Sequence, residues 1–587
     1  MAAKILTFAA RQPRAERRRE TLFRQVVRRA PQATLFLFLA PLAAGLLATA
    51  APALGWLPAL GGRELSAGPL VRLLAHPDLA GAVAVSVVSG GVAALVSLFL
   101  ALAFAASFHH TRAWRLALRL TPSLIALPHA ALAVGLAFLV APSGPVFRLS
   151  RFLFGAPELP PLIVTLQDKY GLALALGLVV KEFPFLLLIL ISASHRLHLQ
   201  DRLHAARCLG YSPATAWFKV ALPELWPQMR LPFFAVIAYS LSVVDMAIIL
   251  GPNNPPSLAV LVLRLFYDPD LSLRFPAACG AVLQLLIAAA AIVFCLGGEK
   301  VVAAGGRLWC QNAKRGRDRA AARAAVLVAS ATPLVLGAGA LFALLVWSFA
   351  DSWRWPDLIP PALGLKTWNT LGGSLVPVIF NSAALALASA ALAVALSLLC
   401  LENERLYRVV PAQAWLLYLP LLLPQISILF GILVCASLLR LDETFTGVVW
   451  THFVFVFPYV FLLLAAPHRQ LDERFSDMAA SLGHGQFESF LRVRLALLAR
   501  AVAVAFAVGF AVSIAQYLPT LLLAPATWNT LTMEAVAASH SATRREVAVW
   551  AFLQAFLPLI VFTLAIALPG PQRMRRGARR PVSYTHL

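Results

Sequence analysis

Twelve stretches of this chain are apolar for long enough to cross a lipid bilayer, and no other feature constrains the fold as strongly. They run near 33–54, 80–107, 120–141, 171–194, 231–251, 277–297, 324–349, 380–401, 415–439, 447–466, 501–524 and 547–568. About 20 apolar residues cross the hydrocarbon layer as a helix. Helices are the expected form, because lipid offers backbone N–H and C=O groups no other partner. The chain has 587 residues, 60% of them hydrophobic and 13% charged, more apolar surface than a soluble core of that size absorbs. The expected fold class is an all-α polytopic membrane protein with about 12 transmembrane helices. The first run exceeds the apolar core of a secretory signal and follows a long basic leader, so it reads as a span.

The net charge of +23 would suit nucleic acid, but its placement suits a membrane. With the N-terminus in the cytoplasm, 36 of the 49 Lys and Arg residues fall in cytoplasmic segments, 12 in outer loops and one, Lys181, within a span. This is the positive-inside bias of a multi-pass protein of the bacterial inner membrane. Anionic headgroups of the lipid bilayer are sufficient partners for the basic clusters, and no nucleic acid is expected. No CxxC pair or HExxH motif occurs, so no metal site is expected.

The chain reads as two copies of one unit. "ALPHAALAVG" (126–135) matches "LLPQISILFG" (422–431), pairing Pro128 with Pro424 and Gly135 with Gly431. "EFPFLLLIL" (182–190) matches "VFPYVFLLL" (456–464), pairing Pro184 with Pro458. The expected division is a basic cytoplasmic segment at 1–30, a first six-span repeat at 31–297, a basic linker at 298–323, a second six-span repeat at 324–569 and a basic tail at 570–587. The closing "PVSYTHL" does not read like the rest; it is expected to be artefactual and carries no functional reading.

Between spans, where a short connector would do, each copy places a folded elbow: 200–224, with "DRLHAARCLGYSPATAWFKVALP", and 471–497, with "DERFSDMAASLGHGQFESFLRVRLA". Asp201 and Asp472 suit helix N-caps. Gly210 and Gly483 suit a left-handed C-terminal turn. Ser212 and Pro213 suit the start of a second helix, which Pro223 should end or bend. Ala205 and Ala206 should leave a low surface for a partner, with Trp217, Phe218, Phe487 and Phe490 as apolar anchors.

The spacing resembles the cytoplasmic loop EAA-x3-G-x9-I-x-LP of binding-protein-dependent ABC importer permeases. "HAARCLG" (204–210) is followed by Val220, Leu222 and Pro223, and "DMAASLG" (477–483) by Val493 and Leu495. His204 replaces the acid, Val220 the Ile and Ala496 the second Pro. The resemblance covers about residues 30–570 and is to fused two-half permeases of the thiamine and ferric-iron type. Within these, "SIAQYLPTLLLAPATWNTLTMEAVA" (513–537) resembles a thiamine-type branch. It implies the type I importer permease fold, with Ala205, Ala206, Gly210, Val220, Leu222, Pro223, Asp477, Ala479, Gly483, Val493 and Leu495 coupling to a separate ATPase. That partner would be a homodimer whose two equivalent grooves take one elbow each. A periplasmic binding protein would deliver a small molecule or ion.

The chain carries no cofactor of its own. Gly-Lys never occurs, so it has no phosphate-cradling P-loop, and ATP-Mg belongs to the partner. No catalysis is expected. Ionisable and polar residues inside spans are candidates for the substrate pathway: Lys181 and Glu182, adjacent in the fourth span, and Asp245, which aligns with Gln516. Gln284, Asn381 and Gln554 read as interhelical hydrogen-bond partners. The alternative reading is an ion-coupled secondary transporter, which needs intramembrane carboxylates and no docking elbows.

Overall fold

The computed structural model describes residues 14–568, save 110, 156–158, 198, 313 and 410–413. The tail and the start of the leader lie outside the described residues. The principal helices of the first part are α1 (Arg14–Ala53), α2 (Leu79–Phe108), α3 (Arg112–Ile125), α4 (His129–Val140), α5 (Leu172–Arg196), α6 (Gln200–Cys208), α7 (Leu222–Ser242), α8 (Asp245–Leu250) and α9 (Arg274–Gln311). Those of the second are α10 (Ala320–Phe349), α11 (Lys366–Tyr407), α12 (Gln425–Leu438), α13 (Phe445–Arg469), α14 (Arg474–Ser481), α15 (Leu495–Ile514), α16 (Leu518–Leu523), α17 (Leu531–Ser541) and α18 (Arg544–Ala567). One short antiparallel hairpin, β1 (Ala350–Ser352) with β2 (Ala362–Leu363), lies between α10 and α11. The fold is all-α and polytopic.

Among the described residues, 10 helices are long and apolar enough to cross a membrane, and a pair bent by 98° at Pro424 makes up to 11. The runs at 231–251 and 415–439 give no straight span and make the difference from twelve; four runs in all are broken. The run at 120–141 divides at Pro128 and that at 415–439 at Pro424, each proline taking the cap position of the helix that follows. Proline lacks an N–H and pushes the preceding residue out of helical geometry. The run at 231–251 divides at Val243, which is extended (φ −62, ψ 136). The polar start of α7, with Gln228 and Arg230, also thins its apolar length. The run at 501–524 divides between Ile514 and Leu518. Pro184 and Pro458 lie inside the continuous helices α5 and α13.

The first helix of each part crosses to the other. α1 packs along α12, and α10 packs along α4. Glycine permits both contacts. A Cβ on Gly431 would lie 1.9 Å from the Gly45 carbonyl oxygen, and one on Gly135 would lie 2.5 Å from that of Ala340. Close backbone approach through small residues is how helices associate where lipid removes the hydrophobic drive. The Trp450 Nε1 donates to Leu37 O (2.9 Å) and the Asn403 Nδ2 to Val27 O (2.9 Å), fixing α1 across the seam.

Candidate functional site

The two elbows share one backbone design. At the end of α6, Gly210 is left-handed (φ +85); its N–H donates to Arg207 O (2.9 Å) and that of Tyr211 to Ala206 O (3.3 Å). At the end of α14, Gly483 is left-handed (φ +89); its N–H donates to Ala480 O (3.0 Å) and that of His484 to Ala479 O (3.0 Å). Both are Schellman closures, which use carbonyls a helix end leaves free. Each elbow then re-enters through a short helix and a π-helical turn, Trp217–Ala221 or Ser489–Arg494. Asp472 does not hold the cap position, which Glu473 takes; from one residue outside the helix its Oδ1 accepts from Arg474 N (3.0 Å). Asp201 does not hold the cap position, because α6 starts two residues earlier than that cap would place it and takes Leu199 there. Pro223 does not end a helix either. It stands in the first turn of α7, where an N–H is dispensable.

The elbow faces differ from the sequence expectation. Ala206 and Ala479 are buried, at 7% and 3% exposure, and so are Trp217 and Phe490. The alanines let the returning helix pack close, and the aromatic rings fill that interior instead of anchoring a partner. Val220, Leu222, Val493 and Leu495 are half-buried, whereas Ala205, Pro223 and Asp477 are exposed. The most exposed large apolar residues are Leu209 and, on the second elbow, Met478 and Leu482, at 65%, 61% and 76% exposure. Ala205 with Leu209, and Met478 with Leu482, form matching i, i+4 pairs on one helix face. Leu209 and Leu482 were legible in "CLG" and "SLG", since each precedes the turn glycine.

The second elbow is also held by a buried charge network the sequence did not reveal. Glu402, fully buried near the C-terminal end of α11, takes Arg405 Nε at 2.9 Å, His468 Nε2 at 3.3 Å and Arg494 Nε at 3.4 Å. Arg494 reaches back to Glu473 (3.3 Å) and Ser476 (3.2 Å), and Arg405 to Glu473 (3.2 Å) and Gln486 (2.8 Å). Three elements are thus tied to one carboxylate. Removing one member of such a network strands the others, at about 3–5 kcal/mol.

The pathway candidates gather at the helix breaks. Lys181 Nζ donates to Ile125 O (2.9 Å) and Leu127 O, serving the carbonyls left free where α3 stops before Pro128. Glu182 and Asp245 lie within electrostatic reach of Lys181, and Asp245 opens α8. Gln516, in the α15–α16 break, accepts from Gln425 Nε2 (3.2 Å), just past the Pro424 bend. His129 packs against Tyr239, with centroids 4.6 Å apart and the rings tilted by 41°. Unwound backbone at such depth persists only where it is buried or lines a polar space.

Gln284 Nε2 donates to Leu241 O (3.0 Å). Gln554 Nε2 donates to Thr532 Oγ1 (2.6 Å), whose hydroxyl in turn donates to Ile514 O. Both glutamines therefore lead to a carbonyl freed by a break. Asn381 Nδ2 donates to Asn529 O (3.2 Å). Lys181→Met leaves two buried carbonyls without a donor, at about 1–3 kcal/mol each. It is expected to lower the unfolding temperature in detergent, while Gln516→Ala keeps that temperature and lowers uptake. Thermal scans with transport assays of both variants check this.

No protein-family model matches the chain. It is 32% identical over 517 residues to the inner membrane ABC transporter permease protein YnjC of Escherichia coli, covering 86% of this chain and 92% of that protein. A segment of 214 residues is 26% identical to a putative 2-aminoethylphosphonate transport system permease protein, PhnV, of Salmonella typhimurium, covering 35% of this chain and 80% of that one. With the all-α, multi-pass fold, the long match places this chain in the inner-membrane ABC transporter permease family.

Proposed function

We propose that this chain is the complete transmembrane pathway of a binding-protein-dependent importer, with two pseudo-symmetric six-span halves that dock on a separate ATPase through the elbows. The observation that carries this is the matched pair of Schellman-closed elbows, each presenting an outward leucine one residue before its left-handed glycine. An ATPase homodimer offers two equivalent grooves, so a fused chain needs two elbows. ATP binding and hydrolysis in the partner then drive the spans, and a periplasmic binding protein delivers substrate to the outer face. The N-terminus lies in the cytoplasm. The substrate is a small molecule or ion, as in the thiamine and ferric-iron type permeases; the breaks in α3–α4, α7–α8, α12 and α15–α16 supply the polar groups that would meet it.

In proteoliposomes holding the chain, its ATPase and its binding protein, uptake is expected to require ATP and to persist when proton and sodium gradients are collapsed. The chain alone is expected to hydrolyse no ATP. Uptake driven by a gradient without the ATPase would replace this reading with an ion-coupled secondary transporter.

A further inference from the structure

The two elbows solve the same local problem differently. Where the second helix of the first elbow begins, Ser212 occupies the cap position; its Oγ accepts from Thr215 N (3.4 Å), and Pro213 removes one N–H from the count. Aligning Gly210 with Gly483 puts Gly485 at the position of Ser212 and Gln486 at that of Pro213. Gly485 has no side chain to accept a bond, and Gln486 restores the N–H that proline lacked. The second elbow therefore starts its helix with more free donors and no cap of its own.

The missing acceptor comes from 467 residues away. Phe487 N donates to Glu20 Oε2 at 3.0 Å. Glu20 lies on the cytoplasmic extension of α1, and Arg24 Nε holds its other oxygen at 3.0 Å. One turn on, Phe23 packs against Phe487 and Phe490, each with centroids 5.5 Å from its own. Gly485 has an ordinary extended backbone (φ −72, ψ 174), so glycine is not required there by conformation. It leaves room for the carboxylate: a Cβ would lie 2.8 Å from Glu20 Oε2, and the end of that flexible side chain would have to swing away. The first elbow is met instead by the α9–α10 connector. Its Ser212 N–H donates to Arg315 O (2.9 Å), and Lys219 Nζ donates to Asn312 O (2.7 Å) in the α9–α10 connector.

We infer that Glu20 is a positioning residue for the second elbow, capping its returning helix in trans and tying its angle to the helix that crosses between halves. The functional part rests on the docking role proposed above; the cap itself does not. The test uses the full chain with its ATPase in lipid nanodiscs, with amide exchange read over 485–491 and ATP-driven uptake read in parallel. Glu20→Ala is expected to speed exchange there about fivefold, as loss of an N-cap does, to leave 212–218 unchanged, and to lower uptake severalfold. Glu20→Gln keeps an acceptor oxygen and is expected to retain both. Gly485→Ser alone is expected to swing Glu20 aside and to change both less than Glu20→Ala does, since the serine brings its own acceptor. In the Glu20→Ala background the same serine meets no obstacle, takes the role of Ser212 and is expected to restore both.

Wild-type exchange in Glu20→Ala, or a double variant no better than Glu20→Ala, overturns the trans cap. Faster exchange with full uptake overturns its positioning role. If Gly483→Val also transports normally, the docking reading fails on its own account, while the exchange result for Glu20 still stands or falls separately.

Discussion

Valine at Gly210 or Gly483 is expected to abolish most ATP-driven uptake while the chain inserts and purifies like wild type. Both glycines are left-handed, at φ +85 and +89, a region that costs a β-branched residue about 1–3 kcal/mol. That is small against the packing of the whole bundle, so the folded yield should hold. It is large for a turn whose only relief is to rotate, and rotation carries the Leu209 or Leu482 face with it. A docking loss of that size lowers association about 5- to 150-fold. Damage at Gly210 should be the more severe, because a side chain there also meets the Arg315 Cδ at 3.2 Å. Ala206→Asp and Ala479→Asp should damage the same elbows from inside, by forcing a charge into the space beside Trp217 or Phe490. Copurification with the ATPase and uptake in proteoliposomes check all four. Wild-type transport in both valine variants would show the elbows to be surface helices with no coupling role.

The sequence made the elbows legible because their signals are local. A glycine that must turn left and a serine–proline helix start each announce themselves within a few residues. The facing of a short helix does not. With α6 spanning Gln200–Cys208, two adjacent alanines fit equally well inward or outward, and only the buried Trp217 decides that Ala206 is interior. The break at Val243 was hidden for a related reason: valine is apolar and content in an extended backbone, so hydropathy runs through it unchanged. Lys181 was legible as an intramembrane charge but not as the donor to the end of α3, since its acceptors lie 56 and 54 residues away. The Glu402 network and the Glu20 cap join segments still further apart in the chain, where no local pattern can register them.

The crossing of α1 onto α12 supplies the other large effect. Gly431→Leu is expected to deplete folded protein, because its Cβ would fall 1.9 Å from the Gly45 carbonyl oxygen. Overpacking against side chains costs about 1–3 kcal/mol, since they can shift rotamer; a backbone oxygen has no rotamer, so the helices must part. Parting them also removes the bond from Gly431 N to Thr49 Oγ1 (3.1 Å) and strains those at Leu37 and Val27. Gly135→Leu should act in the same way against Ala340 O, 2.5 Å from its Cβ position, at the reciprocal crossing of α10 onto α4. Gly91→Leu is the control: it too sits in a membrane helix, α2, but nothing lies within 4 Å of its Cβ position. Size-exclusion chromatography of detergent extracts should show a severalfold loss of the monodisperse peak for the first two and none for the third. A normal peak for Gly431→Leu would mean that α1 tolerates separation from α12. The first helix would then be a lipid-facing anchor, and movement at the second elbow would have no route through Glu20 into the opposite half.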